Sequence, residues 1–295
     1  MQVLLTGGSG YIGRSTIPAL IRHGHTVTAL ARSDRAAHTV AALGAVPVHG
    51  SLTDTEVLRE AARQADAVIH LGSDLGGDTA EVDRAAAAAL QDGAGGRPYV
   101  HTGGVWVYGD TKGTVDEDAP LNPPAITAWR PANEREVLAR ADEGGHPVLL
   151  MPGLVYGRSG GLAQTFFAEP ARTAGAVPCI GDGANHWALI HVDDLAELYT
   201  AALDAPAGSV YAAVSDQNPT LADITLALSR AAGCPGRIET LTLDEARTRM
   251  GPIAEAFALD QQLTGARARR ELGWTPTRTD PLEELARPSS AAVGG

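Results

Sequence analysis

Lysine is all but missing from this 295-residue chain: Lys112 is the only one, and every other cationic side chain on the chain is an arginine. The formal charge is −12, and no Lys/Arg cluster is long enough to track a phosphate backbone, so nucleic acid is not an expected partner. Cysteine is nearly as scarce. Cys179 and Cys234 cannot build a disulfide framework or a four-thiolate zinc site, and neither sits in a Cys-x-x-Cys pair. Both are expected as small buried apolar residues, with no metal centre. No apolar run approaches the ~20 residues of a membrane span, so a membrane is not an expected partner either. Met1 leads straight into Gln2-Val3-Leu4-Leu5 without a basic leader, which makes the cytoplasm the expected compartment. Aromatic residues are few, at 4% of the chain, so each one that borders a cleft carries weight.

What the chain does have is alternation. Apolar runs at 3–5, 26–31, 46–49, 67–71, 99–102 and 148–151 are separated by segments of helical content at 12–23, 34–43, 55–62, 80–90 and 131–141. Strands too hydrophobic to own a solvent face, each followed by a helix, predict a doubly wound α/β fold with a parallel sheet covered on both sides. After Gly157 the rhythm breaks into short pieces at Pro170, Pro178, Gly181, Gly183, Pro206, Pro219 and Pro235. This predicts a dinucleotide-binding domain over 1–157 and a smaller, mainly substrate-binding domain over 158–287. Segments near 188–214 are expected to return to the sheet, and 288–295 to form a frayed tail.

Thr6-Gly7-Gly8-Ser9-Gly10-Tyr11-Ile12-Gly13 follows a strand directly and opens a helix, the context in which a glycine trio binds a dinucleotide. Gly7 permits the turn, Gly10 lets the backbone approach a pyrophosphate and Gly13 allows close packing, while amide groups at the helix start face the phosphates. At the end of the second strand the chain reads Ala31-Arg32-Ser33-Asp34-Arg35. An acid there would bind a ribose 2′-hydroxyl; a guanidinium grips a 2′-phosphate, so NADPH is expected over NADH. Asp34 is the competing reading, and is expected instead to cap the next helix.

This pattern resembles the extended short-chain dehydrogenase/reductase family of nucleotide-sugar epimerases, dehydratases and related reductases. Further matches are Gly50-Ser51-Leu52-Thr53-Asp54, Val68-Ile69-His70-Leu71-Gly72, Val105-Trp106-Val107-Tyr108-Gly109, Pro152-Gly153-Leu154-Val155-Tyr156-Gly157, His191-Val192-Asp193-Asp194-Leu195-Ala196 and Glu271-Leu272-Gly273-Trp274-Thr275-Pro276. The resemblance implies that Tyr11 and Ile12 belong to the phosphate turn, that Ser51 and Leu52 flank adenine, Leu71 and Gly72 the ribose and pyrophosphate, and Pro152, Leu154 and Val155 the nicotinamide. His70 and His191 are expected to be structural.

The family's Ser-Tyr-Lys machinery is not where the resemblance puts it. Gly104 stands at the serine position, Trp129 at the tyrosine and Asn133 at the lysine, and residues 110–150 hold no tyrosine. Tyr108-Gly109-Asp110-Thr111-Lys112 has the Tyr-x-x-x-Lys spacing, but its glycine reads as a turn where a shared helix face is needed. Thr102 could bond a substrate oxygen, Asn133, expected on a solvent-facing side of its helix, could orient a water, and His186 could donate a proton. Gly104, Trp106, Trp129, Asn133, Tyr156, His186 and Trp187 are the expected substrate pocket. A phenol on the substrate itself is the remaining proton source, so a polycyclic aromatic ketone is the expected small-molecule partner. In this the chain resembles the angucyclinone ketoreductases of actinomycete antibiotic pathways. A nucleotide-sugar epimerase or dehydratase, and a non-catalytic NADP(H) sensor, are the other readings.

Overall fold

The protein is described from a computed structural model covering residues 1–74 and 78–288; most of the expected tail lies outside these residues. Seven parallel strands form the central sheet: β1 (Gln2–Thr6), β2 (Thr26–Ala31), β3 (Val46–His49), β4 (Ala67–His70), β5 (Pro98–Thr102), β6 (His146–Pro152) and β7 (Ser209–Ala213). Their spatial order is β7-β6-β5-β4-β1-β2-β3, so the chain reverses direction across the sheet between β1 and β4. Every expected strand is present, and Ser209–Ala213 does return to the sheet. At such a reversal the loops beyond the strand C-termini diverge and leave a crevice for a ligand.

Alternation along each strand sorts the core into two faces. Val3, Leu5, Val27, Ala29, Ile69, Val100 and Leu150 pack beneath α1 (Gly13–Arg22) and a later helix, Val192–Ala201. Leu4, Leu30, Val68 and Tyr99 point the other way, under α3 (Thr55–Arg63), α4 (Thr79–Ala94) and α5 (Arg130–Ala139), while α2 (Asp34–Ala42) joins β2 to β3. Gly93 makes the α3–α4 approach possible, because a Cβ there would overlap the Arg59 carbonyl. A third body of apolar side chains, including Phe167, Trp187, Ile224, Leu228 and Phe257, is supplied by residues 154–285. Among the described residues no helix is long and apolar enough to cross a membrane.

One local expectation is corrected. The cap of α2 is Ser33, whose hydroxyl accepts from the Ala36 amide at 3.3 Å; Asp34 is the first helical residue. Ser33 has the extended backbone a cap needs, whereas Asp34 adds its charge to the helix's positive end.

Candidate functional site

The glycine turn closes on its own backbone. Gly7 has φ +71°, and a Cβ there would lie 2.8 Å from the Gly72 amide nitrogen; at Gly13 it would overlap the Gly7 carbonyl and lie 2.6 Å from the Gly8 Cα. Gly13 thus seats α1 on the turn. No side chain caps α1, and no acidic residue sits in its first turn, which leaves amide donors and the positive helix end for an anion. The turn is tied to β4: Gly72 N–H donates to Thr6 Oγ1 at 3.0 Å, and that oxygen lies 2.6 Å from His70 Nδ1. A cradle lined by glycines, where added Cβ atoms would meet backbone, fits a dinucleotide pyrophosphate.

Around it the structure brings several expected residues together. Tyr11 O–H donates to the Gly157 carbonyl at 2.7 Å, linking the turn to the segment that follows Pro152, Leu154 and Val155. Tyr11 is therefore a strap, and burial pushes its hydroxyl far above the ordinary phenol range. Leu52 packs against the position of Gly72, while Ser51 is occupied in its own loop, donating from N–H (2.7 Å) and O–H (2.9 Å) to Asp54 Oδ2. At the end of β2, Arg32 and Arg35 are exposed, and neither makes an ion pair among the described residues. His191 caps the helix Val192–Ala201, accepting from Asp193 N–H at 3.1 Å, and so is structural as expected.

Beyond β5 the outcome is mixed. Gly104 is open: among the described residues a Cβ there meets nothing within 4 Å. Trp129 is half-buried with the Arg130 guanidinium 4.6 Å from its ring centroid, and Trp106 is half-buried with its ring edge-on to Phe257 at 5.9 Å. His186 is held by Asp260, whose Oδ1 lies 2.8 Å from His186 Nδ1, next to Gln261, whose amide donates to the Val105 and Gly109 carbonyls.

Four assignments are corrected. Thr102 O–H donates to the His70 carbonyl at 2.7 Å and its oxygen also lies 2.8 Å from the Tyr199 hydroxyl, so its proton is committed away from any substrate. Asn133 does not face solvent; it is buried and its amide donates to Ala80 O and Asp83 Oδ2, joining α5 to α4. Tyr156 is fully buried and donates to the Arg278 carbonyl, and Trp187 is buried with its indole N–H on the Phe257 carbonyl. Both were expected in the cleft, but the apolar body of residues 154–285 takes them because an aromatic ring is the largest area a segment can bury. Tyr108 is no catalytic tyrosine: it sits in one 3₁₀ turn, is buried, and donates to Glu117 O at 3.3 Å while Lys112 is exposed.

Sequence reasoning passed over the polar cluster beneath this opening. His70 and His101 are buried, each with an Nε2 that has no hydrogen-bond partner among the described residues and lies 3.9 Å from one oxygen of Asp83. Desolvation lowers both histidines, His101 to about 3, against the opposing pull of Asp83. Glu134, also buried, has its Oε1 without a hydrogen-bond partner among the described residues, and burial pushes its carboxyl up to about 7. The only sequence signal was a histidine near the end of each of two otherwise apolar strands, His70 on β4 and His101 on β5. A 250 Å³ hollow lined by Gln91, Tyr99 and His146 lies at the N-terminal edge of β5 and β6, the wrong end of a parallel sheet for this crevice.

A model of the NAD dependent epimerase/dehydratase family matches residues 3–213. An uncharacterised protein of Saccharomyces cerevisiae is 30% identical, covering 97% of this chain and 98% of its own. The 4-hydroxy-2-methyl-3-oxo-4-farnesyl-3,4-dihydroquinoline-1-oxide ketoreductase of Stigmatella aurantiaca is 29% identical over 100% of this chain and 98% of its own. Among solved structures, the UDP-glucose 4-epimerase of Thermus thermophilus in complex with NAD superposes with a TM-score of 0.80 at 21% identity, covering 98% of each chain.

Proposed function

This chain belongs to the NAD dependent epimerase/dehydratase family, and from that premise we propose that it is an NADPH-dependent ketoreductase acting on a polycyclic aromatic ketone. The observation that carries the reading is the open Gly104 at the end of β5, with Trp129 and a buried Asn133 where the family's tyrosine and lysine stand. An epimerase or dehydratase needs a base at that tyrosine position, which tryptophan cannot provide; the ketoreductase of Stigmatella aurantiaca, a relative over the whole chain, favours carbonyl reduction.

The residues divide the work. Gly7, Gly10, Tyr11, Ile12 and Gly13 with the first turn of α1 hold the pyrophosphate, Ser51 and Leu52 the adenine, Leu71 and Gly72 the ribose side, and Pro152, Leu154 and Val155 the nicotinamide. When bound, the cofactor supplies a hydride. Arg32 and Arg35, with Ser33, take the 2′-phosphate, since free guanidinium groups lose nothing elsewhere on engaging it. Replacing both arginines by alanine is expected to weaken NADPH about ten- to a hundredfold, at ~1.5–3 kcal/mol for charge-assisted bonds, and to leave NADH unchanged. Fluorescence titration of the two cofactors reads this, and an equal loss for both would return the site to an unselective one.

The ketone lies over Gly104, between Trp106 and Trp129, with His186 at the rim, and residues 158–287 serve mainly to bind it. Reduction leaves negative charge on oxygen, and a phenol beside the carbonyl can meet it from within the substrate, where placement alone contributes up to roughly 7–11 kcal/mol. The skeleton proposed is angucyclinone-like, of the kind reduced in simocyclinone assembly. Following NADPH absorbance with a panel of aromatic ketones tests this. Hydroxyl-flanked ketones are expected to turn over, and their O-methylated analogues about a hundredfold more slowly. Equal rates for both would remove substrate assistance, and cofactor binding without turnover of any ketone would favour a sensor.

A further inference from the structure

Gly103 and Gly104, directly after β5, leave two consecutive positions without a side chain. A Cβ at Gly103 would overlap Met151 Sδ and lie 2.7 Å from Glu134 Oε1, so the carboxyl group fills the room that a side chain at 103 would occupy. One residue further on, a Cβ at Gly104 meets nothing within 4 Å among the described residues. Glu134 is 5% exposed, and Oε1 has no hydrogen-bond partner among the described residues. A buried carboxyl oxygen left unpaired is costly, more so when ionised, and a chain can avoid that cost by placing an apolar residue there.

We propose that Glu134 is the proton source for the reduction, acting through the glycine gap on the oxygen of a ketone held over Gly104. The proposal rests on the reductase reading above. Once hydride has added to the carbonyl carbon, the electron pair of the C=O π bond resides on oxygen. A proton passes from the Glu134 carboxyl, by way of one water in the gap, to that oxygen or to the substrate phenolate that has just neutralised it. Glu134 is left as carboxylate and recovers its proton from solvent, so each turnover consumes one hydride and one solvent proton. Glu134 acts through the water and not by touching the ketone, so it is a positioned acid.

The surroundings keep the acid neutral near neutral pH. Desolvation is the largest influence, Asp83 on α4 raises the group further, and Arg130, one turn back on α5, opposes them. His70 on β4 and His101 on β5 are held neutral by burial, and Tyr108 is buried with its hydroxyl pushed well up, so none of these presents a charge to Glu134. Glu134 is therefore the group in this cluster whose titration falls where the enzyme would work.

The test compares the full-length wild type with Glu134→Gln and Glu134→Asp. For Glu134→Gln, kcat for ketone reduction is expected to fall about ten- to a hundredfold, with KM for the ketone and NADPH affinity unchanged. The wild-type decline of kcat as pH rises through about 7 should vanish in that variant and persist, displaced, in Glu134→Asp. Independently of turnover, infrared spectroscopy should show a protonated carboxylic acid band in the wild type that titrates near neutral pH and is missing from Glu134→Gln. Unchanged kcat and pH profile in Glu134→Gln, or a wild type without that band, would overturn the assignment. So would a pH limb that survives in Glu134→Gln and disappears in His186→Asn, which would move the role to the His186–Asp260 pair. A wild type that reduces no ketone yet shows the titrating band would refute the reductase reading while leaving the protonated acid in place.

Discussion

A Gly13→Ala protein is expected to lose dinucleotide binding by at least about a hundredfold and to melt well below the wild type. The new methyl would overlap the Gly7 carbonyl and lie 2.6 Å from the Gly8 Cα, and both are backbone atoms of the turn itself, so no rotamer change relieves the clash. Relief requires α1 to lift or Gly7 to leave its φ of +71°, and either motion pulls the amide groups away from where a pyrophosphate must sit. Overpacking of this kind costs ~1–3 kcal/mol in stability. Gly93→Ala is the control: its methyl would strike the Arg59 carbonyl between α3 and α4, far from the turn. It should lower the melting temperature by a comparable amount while the folded protein binds NADPH as before. Thermal melts and fluorescence titrations on the two variants separate the effects, and wild-type affinity in Gly13→Ala would remove the turn as the cofactor site.

The buried cluster under the crevice makes a second large prediction, about acid. His101 titrates near 6.5 in the unfolded chain and is pushed down to about 3 in the fold. Between those values the unfolded chain binds the extra proton, so the stability His101 contributes above about pH 6.5 is lost as pH falls, at ~1.4 kcal/mol per pH unit. Glu134 has the opposite sign. Its folded value, about 7, lies above its unfolded value of about 4.3, so the fold holds the proton more tightly and loses stability as pH rises across that window. Over the shared range the two slopes nearly cancel, and His70, also lowered by burial, tips the wild type toward mild acid lability.

Removing one partner exposes the other. Glu134→Gln should become distinctly acid-labile, losing about 2 kcal/mol more than wild type between pH 6.5 and 5, whereas His101→Asn should resist acid better than wild type. Titrations of surface carboxylates are common to all three proteins and drop out of the comparison. Urea denaturation at the two pH values measures the differences; parallel pH profiles for the three would mean that the cluster is not desolvated as described.

The strands could be read from the sequence because most of them are apolar runs buried on both faces, β3 at the sheet edge being the exception with Val46 exposed, and the helices because glycines and capping residues punctuate them. The glycine turn was legible for the same local reason, since strand, tight turn and helix start are contiguous in the chain. That Arg32 and Arg35 lie exposed just beyond β2 follows from where that strand ends. Tyr156 and Trp187 were read wrongly. Their segments do run beside the crevice, but which way a ring turns depends on the apolar body gathered from residues 154–285, including Phe257, which nothing local marks.

The amino-acid order alone thus settled the sheet, its helical cover and the glycine turn, because backbone periodicity and glycine geometry act over a few neighbouring residues. It also shows that α5, Arg130–Ala139, carries neither tyrosine nor lysine. Folding decided the remainder. Asp83 comes from α4, His70 and His101 from two strands, and Glu134 from α5, and only their packing around one small volume strips water from them. That desolvation is a property of the enclosure, contributed by side chains far apart in sequence, so no reading of one segment could show that burial pushes up the carboxyl of a glutamate next to Asn133.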